Sequence, residues 1–354
     1  MSTTVDYIIV GQGLAGSALA LELLRRGKRL MVFDEPAKNR ASKISAGICN
    51  PVTGRVMTKT YLAEKLFPYL NRFYPETEKI LNRKFFFPLP IYRPFLSADE
   101  VIQWKAKMES EAIRSFVTHL QEGPLQPDSI TNPFGGLHIG HSGYLDVVGW
   151  TSAVRALLNE RNAYREEHYT ETEVEAGDTI QYREFTASKI IYCNGLAARQ
   201  SHWFQWLPLK PLKGETLTVH MEFDPGRIVS RGVYLVPSQE KNVFVAGSTY
   251  KHLPFEEAPT EVAFKQISSR LSELVSIPFR VIHQDWGIRP TVSDRRPILG
   301  YHPDNRNVVI FNGLGTKGVS LAPYFAKCLT DWMEDRIVLP EEVNINRFKS
   351  LYSK

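Results

Sequence analysis

A glycine-rich turn near the start of the chain constrains the fold more than any other feature. Residues 6–10 form a short apolar run rich in β-branched side chains, which predicts a strand. The turn 11–16, with the sequence GQGLAG, follows it directly, and residues 17–26 then repeat apolar side chains at helical spacing. A second apolar run, 29–33, ends at the acidic Asp34. The order strand, glycine turn, helix, strand and acid predicts an α/β unit that binds a dinucleotide.

Each glycine of the turn has its own task in such a unit. Gly11 permits the tight change of direction, Gly13 lets a pyrophosphate approach the backbone, and Gly16 lets helix and strand pack closely. The start of the helix, at Leu14 and Ala15, presents free N–H groups and the positive end of the helix dipole to the phosphates. These five positions are therefore predicted to contact the cofactor.

The acidic residue after the second strand is the candidate for the ribose contact. Asp34 stands where a carboxylate accepts hydrogen bonds from the ribose hydroxyls of the adenosine. Glu35 is the competing candidate, although the alternation of the strand favours Asp34. NAD and FAD proteins share this motif, so it does not distinguish the two cofactors.

Bulk composition excludes few classes of protein. A length of 354 residues fits two domains. The net charge of +5, from 43 basic and 38 acidic residues, helps attract phosphate-bearing cofactors. No dense block of Lys and Arg accompanies it, so a nucleic-acid partner is not expected. Outside the N-terminal unit no run approaches the roughly 20 apolar residues of a membrane helix, and we expect a cytoplasmic protein without a membrane span.

Cysteine and histidine spacing gives no sign of a metal site. Cys49, Cys193 and Cys328 lie far apart and are odd in number, which fits a reducing compartment better than a disulfide framework. His138 and His141 have H-x-x-H spacing, but no third ligand accompanies them. We therefore predict no metal and assign these histidines to a turn.

The C-terminal region contains a second set of motifs in a fixed order. Residues 286–291 read W-G-I-R-P-T, and 294–300 read D-R-R-P-I-L-G. A predicted strand at 308–311 leads into the glycine-rich segment 312–319, and an apolar face at helical spacing marks a last helix over 320–333. Between the two ends lies the small-residue loop from Ala41 to Gly47, followed along the chain by further shorter motifs.

Together these motifs resemble the D-amino acid oxidase family, which includes glycine oxidase and sarcosine oxidase. The resemblance implies an α/β fold, with a Rossmann-type, glutathione-reductase-like FAD-binding domain and an inserted mixed-sheet α+β substrate domain. The FAD domain would gather 1–84, 141–206 and 284–354, and the substrate domain 85–140 and 207–283. Within this frame we expect residues 143–146 to open a helix, Pro211 and Gly214 to form a turn, and 233–237 and 245–249 to pair as strands.

The resemblance also implies an activity. An amine or amino acid would lose its α-hydrogen as a hydride to the flavin N5, with the substrate nitrogen unprotonated, and oxygen or a quinone would accept the electrons. FAD would be bound non-covalently, because no cysteine lies between Gly287 and Gly315, although a covalent link through His is less cleanly excluded.

The family motifs carry over to further cofactor-binding positions. Small residues in the loop after the second strand would lie against the flavin, with the hydroxyls of Ser42 and Ser45 reaching phosphate or ribityl oxygens. Backbone near Val174 would contact the adenine, and N–H groups before the last helix would face the flavin's pyrimidine edge. Lys317 either adds a charge there or is a solvent-facing lysine. The positions predicted from these segments are Ala41, Ser42, Ser45, Ala46, Gly47, Val174, Asn194, Gly195, Gly313, Leu314, Gly315, Thr316, Lys317 and Gly318.

Three residues are predicted to contact the substrate. Arg289 matches the G-x-R-P arginine that grips the substrate carboxylate, and a planar guanidinium suits a bidentate contact. Its alternative role is a structural ion pair with Asp285 or Asp294. Tyr234 falls where family members have a tyrosine near the same carboxylate, and Tyr250 is a weaker candidate for the pocket wall.

Other functions remain open from the sequence. The glycine-rich C-terminal segment also resembles the oxidase domain that acts on the modified uridine side chain of tRNA, a secondary amine with a carboxylate. A 2-hydroxy acid oxidase or dehydrogenase on the same scaffold and a flavoprotein without turnover are further alternatives. An NAD dehydrogenase is excluded if the purified protein is yellow.

Overall fold

The computed structural model describes residues 2–35, 40–53, 58–108 and 111–352. Its strands are β1 (Thr3–Val10), β2 (Leu30–Asp34), β3 (Ile48–Cys49), β4 (Val52–Thr53), β5 (Thr58–Lys59), β6 (Phe86–Pro88), β7 (Ile91–Pro94), β8 (Val117–Gln121), β9 (Gly136–Ile139), β10 (Gly143–Leu145), β11 (Tyr164–Glu166), β12 (Val174–Ala176), β13 (Ile180–Tyr182), β14 (Phe185–Tyr192), β15 (Lys210–His220), β16 (Ile228–Arg231), β17 (Val233–Pro237), β18 (Val243–Gly247), β19 (Arg280–Thr291), β20 (Ile298–His302) and β21 (Asn305–Asn312).

The helices connect and cover these strands. They are α1 (Leu14–Arg25), α2 (Ala41–Ile44), α3 (Ala63–Leu81), α4 (Ala98–Met108), α5 (Glu111–Arg114), α6 (Val147–Glu160), α7 (Glu261–Leu274) and α8 (Gly318–Met333). Three 3₁₀ segments span Glu171–Glu173, Gly195–Gln200 and Ile345–Leu351. None of the helices in the described part of the chain is both long and apolar enough to cross a membrane.

The first sheet has a parallel core. β1 pairs with β2 and β14, β2 pairs with β11, and β14 pairs with β21, all in parallel. Antiparallel pairs add β13, β12 and β20. The carboxyl ends of the parallel strands therefore meet at one edge, where open α/β sheets bind ligands. β1, α1 and β2 confirm the predicted strand–helix–strand unit.

The second sheet is mixed and long. Its strand order is β19-β15-β18-β17-β16-β7-β9-β8. β16 and β7 pair in parallel, and all other neighbouring strands of this sheet pair in antiparallel orientation. β17 pairs with β18 as predicted for the two strands near 233–249. The two sheets together confirm the predicted α/β class with a second mixed sheet. The exact domain limits stay a prediction.

Hydrophobic cores cover both faces of the first sheet and both faces of the second. In the second sheet, Ile228 and Val236 belong to the core of α1 and α8, while Val229 and Leu235 belong to the core of α7. α1, α3, α6 and α8 bury Leu19, Leu70, Trp150 and Phe325 on one side of the first sheet. Ile8, Phe33 and Tyr192 belong to the core on its other face. Strands of the second sheet bury Leu217 and Leu235 against Leu271 of α7. Burial of this kind, at about 1.5–3 kcal/mol per large apolar side chain, is the main force that holds the layers together.

Three local predictions were wrong. His138 does not lie in a turn but in β9, where it pairs with Tyr92 of β7. Residues 143–145 do not open a helix but form β10, which pairs with β3 and β6, and only Asp146 begins α6 by accepting the N–H of Gly149. Pro211 and Gly214 form no turn, because both lie inside the continuous strand β15. Pro211 is tolerated there because β18 begins to pair with the other edge of β15 only at Thr216.

Candidate active site

A deep cleft runs along the edge where the parallel strands of the first sheet end. Its volume is about 540 Å³, and its walls come from the ends of β1, β2, β14 and β21 and from β15, β17 and β19 of the second sheet. The predicted residues among its lining are Gly11, Gly13, Leu14, Ala15, Asp34, Glu35, Ala41, Ser42, Ser45, Ala46, Gly47, Asn194, Gly195, Leu314, Gly315, Thr316, Gly318, Tyr234, Tyr250 and Arg289. Segments far apart in sequence therefore converge on one space.

The glycine turn after β1 has the geometry that its sequence predicts. Gly11 adopts a φ of 96°, in the region that residues with a side chain rarely enter. A Cβ on Gly16 would overlap with the carbonyl oxygen of Gly11, so helix and strand meet here at the closest approach. Gly16 itself does not line the cleft, because its place is this contact. The turn thus brings the start of α1 to the cleft wall.

Two helices direct their N-termini at the cleft. Gly13 precedes α1 and has no side chain to cap this end, where Oγ of Ser42 accepts the N–H of Leu14. Lys317 precedes α8, where a side-chain cap is absent and where Gly318 and Val319 line the cleft. The unpaired N–H groups and positive dipole ends of both helices favour an anionic ligand.

Asp34 is buried at the end of β2 and is held by three cationic or N–H donors. One carboxylate oxygen accepts the N–H of Gln12 at 2.8 Å, and the other accepts Nη1 of Arg40 at 2.8 Å. Arg155 of α6 lies 3.8 Å from the same carboxylate and also donates to the side chain of Gln12 at 3.2 Å. These contacts fix the direction of the carboxylate and leave lone pairs for a further donor.

Glu35 points to the opposite wall. Its carboxylate lies 2.7 Å from Nδ1 of His168, and both side chains are exposed. Tyr169 follows His168 in the lining and shares a hydrogen bond of 2.6 Å with the hydroxyl of Tyr192. Burial raises the pKa of Tyr169 above its usual range, so its phenol stays protonated. This end of the cleft is therefore flanked by the hydrogen-bonded side chains of Glu35 and His168 and by an aromatic ring.

The small-residue loop after β2 forms the short helix α2 beside the glycine turn. Ser42 accepts the N–H of Leu14 through its Oγ at 3.2 Å, and Ser45 accepts the N–H of Gly47 at 3.1 Å. Both serines line the cleft, so their hydroxyl protons are available to acceptors there.

A buried acceptor without a partner lies where β14 ends. Oδ1 of Asn194 forms no hydrogen bond among the described residues, although the atom is shielded from solvent and the residue lines the cleft. An unpaired buried oxygen costs about 1–3 kcal/mol, so a ligand with an N–H or O–H donor here would be stabilised. FAD carries such donors and two phosphates. The orphaned oxygen, the N-termini of α1 and α8 and the open backbone at Gly13 therefore fit this cofactor.

Four predicted cofactor residues do not line the cleft. Besides Gly16, Val174 pairs with Tyr182 in the β12–β13 ladder, and Gly313 lies close to side chains of Val292 and Ile298. The last of the four is Lys317, which is described next.

Lys317 is not the solvent-facing lysine of the alternative prediction. Its Nζ donates to the hydroxyls of Thr53 at 3.0 Å and Thr60 at 2.8 Å. Burial, together with the charge of Arg295, lowers the pKa of Lys317 to about 8. The amino group is thus poised between its two protonation states at mildly alkaline pH.

Arg289 extends from β19 into the cleft and has neutral partners. Nη1 donates to the carbonyl of Thr249 at 3.3 Å, and Nη2 donates to Oγ of Ser248 at 3.1 Å. The ring centroid of Tyr250 lies 5.2 Å from Cζ. Within the described residues Arg289 makes no ion pair, whereas Asp285 pairs with His283 and Asp294 with Arg347. The structural pairing considered for Arg289 is therefore absent from this part of the chain.

Tyr234 reaches the same part of the cleft from β17, which β15 and β18 separate from β19 in the sheet. Burial raises the pKa of its phenol to about 12, although the charge of Arg289 and a hydrogen bond with Ser248 act in the opposite direction. The phenol is therefore a neutral donor at any physiological pH. Tyr250 differs, because it is 63% exposed at the cleft mouth.

Sequence reasoning missed several residues of the cleft. Arg40, His168 and Tyr169 line it but belong to no recognised motif, and Ser248 and Gly214 line it although they were assigned only to a strand and a turn. His168 and Tyr169 come shortly after β11, a parallel neighbour of β2. The rule that ligands bind at the carboxyl ends of parallel strands identifies them once β11 is recognised as a strand. No group of three His, Cys, Asp or Glu residues in the described segments is arranged to hold a metal.

Comparison with known proteins places this architecture in a family. The family model for FAD dependent oxidoreductases, DAO, matches residues 6–332. The bifunctional protein ThiO/ThiG of Synechocystis sp. is 25% identical over 365 residues, covering 96% of this chain and 53% of that protein. The chain thus spans about half the length of that relative.

Two glycine oxidases match over nearly their whole length. Glycine oxidase of Pseudomonas aeruginosa is 23% identical, with 93% of this chain and 94% of the relative covered. The crystal structure of glycine oxidase from Geobacillus kaustophilus superimposes with a TM-score of 0.79 at 20% identity, covering 95% and 96% of the two chains. At this identity the superposition shows the shared fold, while the family model shows the relationship. The chain belongs to the DAO family of FAD-dependent oxidoreductases.

Proposed function

We propose that this enzyme oxidises the C–N bond of an amine that carries a carboxylate, as an amino acid does. The observation that carries the proposal is Arg289, a cation whose partners in the cleft, Ser248, Thr249 and Tyr250, are all neutral. It uses two of its five N–H groups on described protein acceptors, so a planar fork remains for a carboxylate. An unpaired guanidinium in a partly desolvated cleft attracts that anion strongly.

The neighbour of Arg289 supports the same substrate class. The Tyr234 phenol is a neutral donor, because its pKa is raised to about 12 by burial. Arg289 and Tyr234 reach the cleft from β19 and β17 of the second sheet. Together they form a donor pair suited to the two oxygens of one carboxylate.

The rest of the cleft would hold the cofactor. We assign the phosphates to the N-terminus of α1, the pyrimidine edge of the flavin to the N-terminus of α8, and the adenosine ribose to Asp34. Ser42, Ser45 and Asn194 would supply further polar contacts. FAD, when bound, supplies the acceptor for the hydride that leaves the carbon next to the substrate nitrogen. The chain itself binds and orients the substrate.

The charges of the cleft favour a substrate amine that reacts unprotonated. The two carboxylates in the lining, Asp34 and Glu35, are engaged by Arg40 and His168. No other described residue of the lining has a carboxylate that would stabilise an ammonium ion. Arg289 disfavours a positive charge nearby, so the bound amine is expected to lose its proton more readily.

Relatives support an amine rather than a 2-hydroxy acid. The matched relative from Pseudomonas aeruginosa is named a glycine oxidase, and so is the matched structure from Geobacillus kaustophilus. We therefore propose a small amino acid or N-alkyl amino acid as the substrate, with oxygen or a quinone as the electron acceptor. The three cysteines are free and buried, which supports a reducing compartment such as the cytoplasm.

Anaerobic bleaching of the flavin tests the proposal. D-, L- and N-alkyl amino acids are compared with the matching amines that lack the carboxylate, and with 2-hydroxy acids. We expect at least one amino acid to reduce the flavin, and its decarboxylated counterpart to do so much more slowly. Reduction by a 2-hydroxy acid alone, or equal rates with and without the carboxylate, would overturn the proposed substrate class.

A further inference from the structure

Two glycines on adjacent strands of the second sheet lie against the two polar side chains of the substrate site. Gly214 belongs to β15 and Gly247 to β18, and these strands pair with each other. In the sheet register Gly214 lies opposite Gly287, two residues before Arg289, and Gly247 lies opposite Tyr234. Gly214 therefore lies near Arg289, and Gly247 lies near Tyr234.

The Arg289 guanidinium occupies the space above Gly214. A Cβ on Gly214 would lie closer than 3.0 Å to Nη2, Cζ and Nη1 of Arg289, so it would overlap with the end of that side chain. Gly214 sits in a regular strand and not in the left-handed region, so its backbone conformation suits any residue. A glycine is needed at this position for space alone.

Gly247 provides the same kind of space for Tyr234. A Cβ at Gly247 would lie 2.9 Å from the phenol oxygen of Tyr234 and 3.1 Å from its Cζ. The methyl carbon of Thr216 would lie at 2.9 Å. These distances are tighter than ordinary van der Waals contact, so the phenol would have to move.

The other contacts of Arg289 determine in which direction its guanidinium would be displaced. Ser248 and Thr249 hold its two Nη atoms, and the ring of Tyr250 lies within cation–π distance. Gly214 itself lines the cleft. A side chain on Gly214 would thus break these hydrogen bonds and push the charged group away from the strand, into the space that a carboxylate needs.

We propose that Gly214 is a positioning residue for the substrate carboxylate, and that Gly247 has the same role for Tyr234. The inference rests on the proposed function, in which Arg289 and Tyr234 bind that carboxylate. Because Gly214 in β15 and Gly247 in β18 have no side chains, the Arg289 guanidinium and the Tyr234 phenol can lie close to the sheet, and this determines where both donors stand. The two glycines would thereby influence substrate binding through the positions of Arg289 and Tyr234.

A double-mutant cycle with acetate as the probe tests this role. Acetate carries the carboxylate without the amine, and its binding is followed through the flavin absorbance of the FAD-loaded enzyme, with acetamide as the uncharged comparison. We expect Gly214→Ala to weaken acetate binding at least tenfold and Arg289→Ala to weaken it by a similar factor. The double variant should bind no worse than Arg289→Ala alone, because the alanine acts through Arg289.

The matched control is Gly177→Ala. A Cβ at Gly177 would meet only the carbonyl oxygen of Thr179 at 4.0 Å. This variant should bind acetate as the wild type does. FAD content and melting temperature of Gly214→Ala should also stay near wild type, because only the end of a flexible side chain has to give way.

The outcomes separate the inference from the proposed function. If Arg289→Ala binds acetate as tightly as the wild type, Arg289 holds no carboxylate and the proposed function fails. If Arg289→Ala weakens binding but Gly214→Ala does not, the inference alone is overturned. Should Gly214→Ala fail to fold, Gly247→Ala in the wild type and in Tyr234→Phe repeats the cycle. Equal losses from Gly247→Ala in both backgrounds would then overturn the inference.

Discussion

Ser42 Oγ lies 3.1 Å from the position that a Cβ would occupy on Gly13, and this hydroxyl already accepts the N–H of Leu14. A side chain at Gly13 would therefore require only a small shift of the Ser42 hydroxyl within the protein, but it would stand in the cleft. We expect Gly13→Val to fold but to lose affinity for FAD at least tenfold, because the side chain would stand against the pyrophosphate. Flavin content after purification and titration with FAD measure the effect. Full occupancy in a folded variant would contradict this interpretation of the turn.

Gly16 provides the contrasting case in the same turn. A Cβ there would overlap with the carbonyl oxygen of Gly11, a backbone atom that cannot rotate away. We expect Gly16→Ala to lower stability by about 1–3 kcal/mol, as overpacking does, whether or not FAD is present. Chemical denaturation of both glycine variants separates a defect in packing from a defect in cofactor binding. A stable Gly16→Ala variant would show that the helix moves freely on the strand.

Tyr234→Phe tests the second donor of the substrate site. Because burial raises the phenol pKa to about 12, the hydroxyl stays protonated in any practical assay. Loss of this hydrogen bond, worth about 0.5–1.5 kcal/mol, should raise KM for a carboxylate substrate about two- to tenfold, by the same factor from pH 6 to pH 10. Tyr250→Phe serves as the control, since the ring over Arg289 is kept. A KM ratio that changes with pH would refute the neutral-donor role.

Removal of Arg289 should have a larger effect than removal of the Tyr234 hydroxyl. Charged hydrogen bonds are stronger than neutral ones, so we expect Arg289→Ala to raise KM by about a hundredfold while FAD stays bound. Arg289→Lys should recover little of this loss, because an ammonium lacks the planar fork. Steady-state kinetics with the best amino acid from the bleaching assay measure both. Unchanged kinetics would remove Arg289 from the site.

The pKa of His138 predicts a sensitivity of the fold to acid. Burial, reinforced by the charges of Arg227 and His119, lowers the pKa of this ring to about 4. Between pH 6.5 and pH 4 the unfolded chain therefore binds a proton that the folded chain does not, so stability falls as the pH falls. His138→Phe should reduce this acid-induced loss of stability by about 1 kcal/mol. The value is smaller than the full pKa shift would give, because the ring is only partly buried. Melting temperatures across this range, with the exposed His252→Phe as the control, provide the check.

Arg26 joins the C-terminal halves of α1 and α8. It contacts Glu22 at 2.6 Å, Asp331 at 2.7 Å and Glu334 at 3.0 Å, with 14% of its side chain exposed. Arg26→Met leaves these carboxylates poorly compensated, and we expect it to cost about 2–4 kcal/mol in stability.

A neighbouring arginine supplies the control for that measurement. Arg25 pairs with Glu76 at 2.8 Å, but 36% of its side chain is exposed. Arg25→Met should therefore cost less than about 1 kcal/mol. Burial opposes ionisation of Asp331, but hydrogen bonds from Lys327 and Arg26 hold its pKa below the usual value. The stabilisation is therefore present above the unfolded pKa and lost as the pH falls through the folded one. Urea denaturation of the Arg26→Met and Arg25→Met variants at neutral and acidic pH measures both the loss of stability and its pH dependence.

The sequence predicted best those parts of the fold that local chemistry determines. The turn at Gly11 needs a positive φ, and α1 and β2 follow from periodicity, so their limits agree with the structure within a few residues. At residues 143–145 the prediction was wrong, because β10 exists only through its pairing with β3 and β6. Local patterns do not contain that information.

In the candidate site, too, local motifs predicted some residues and missed those whose role depends on distant contacts. Arg289 and Tyr234 were found through motifs. Gly214 was assigned to a turn instead, because its role depends on contact with Arg289, a residue far away in the sequence. Arg40 and His168 were missed for a related reason. Each acts by pairing with an acid, Asp34 or Glu35, and sequence alone does not show which surface charges meet.

The strand β19 belongs to the second sheet but lines the cleft from Gly287 to Pro290. β15 pairs with it from Lys210 to His220, and Ile288 forms a bridge to Arg40 beside the first sheet. A hinge between the sheets would leave the β15–β19 ladder intact but would have to break the bridge between Ile288 and Arg40 in every catalytic cycle. We therefore expect substrate and product to pass through the mouth beside the exposed Tyr250, while the two layers keep a fixed separation throughout turnover.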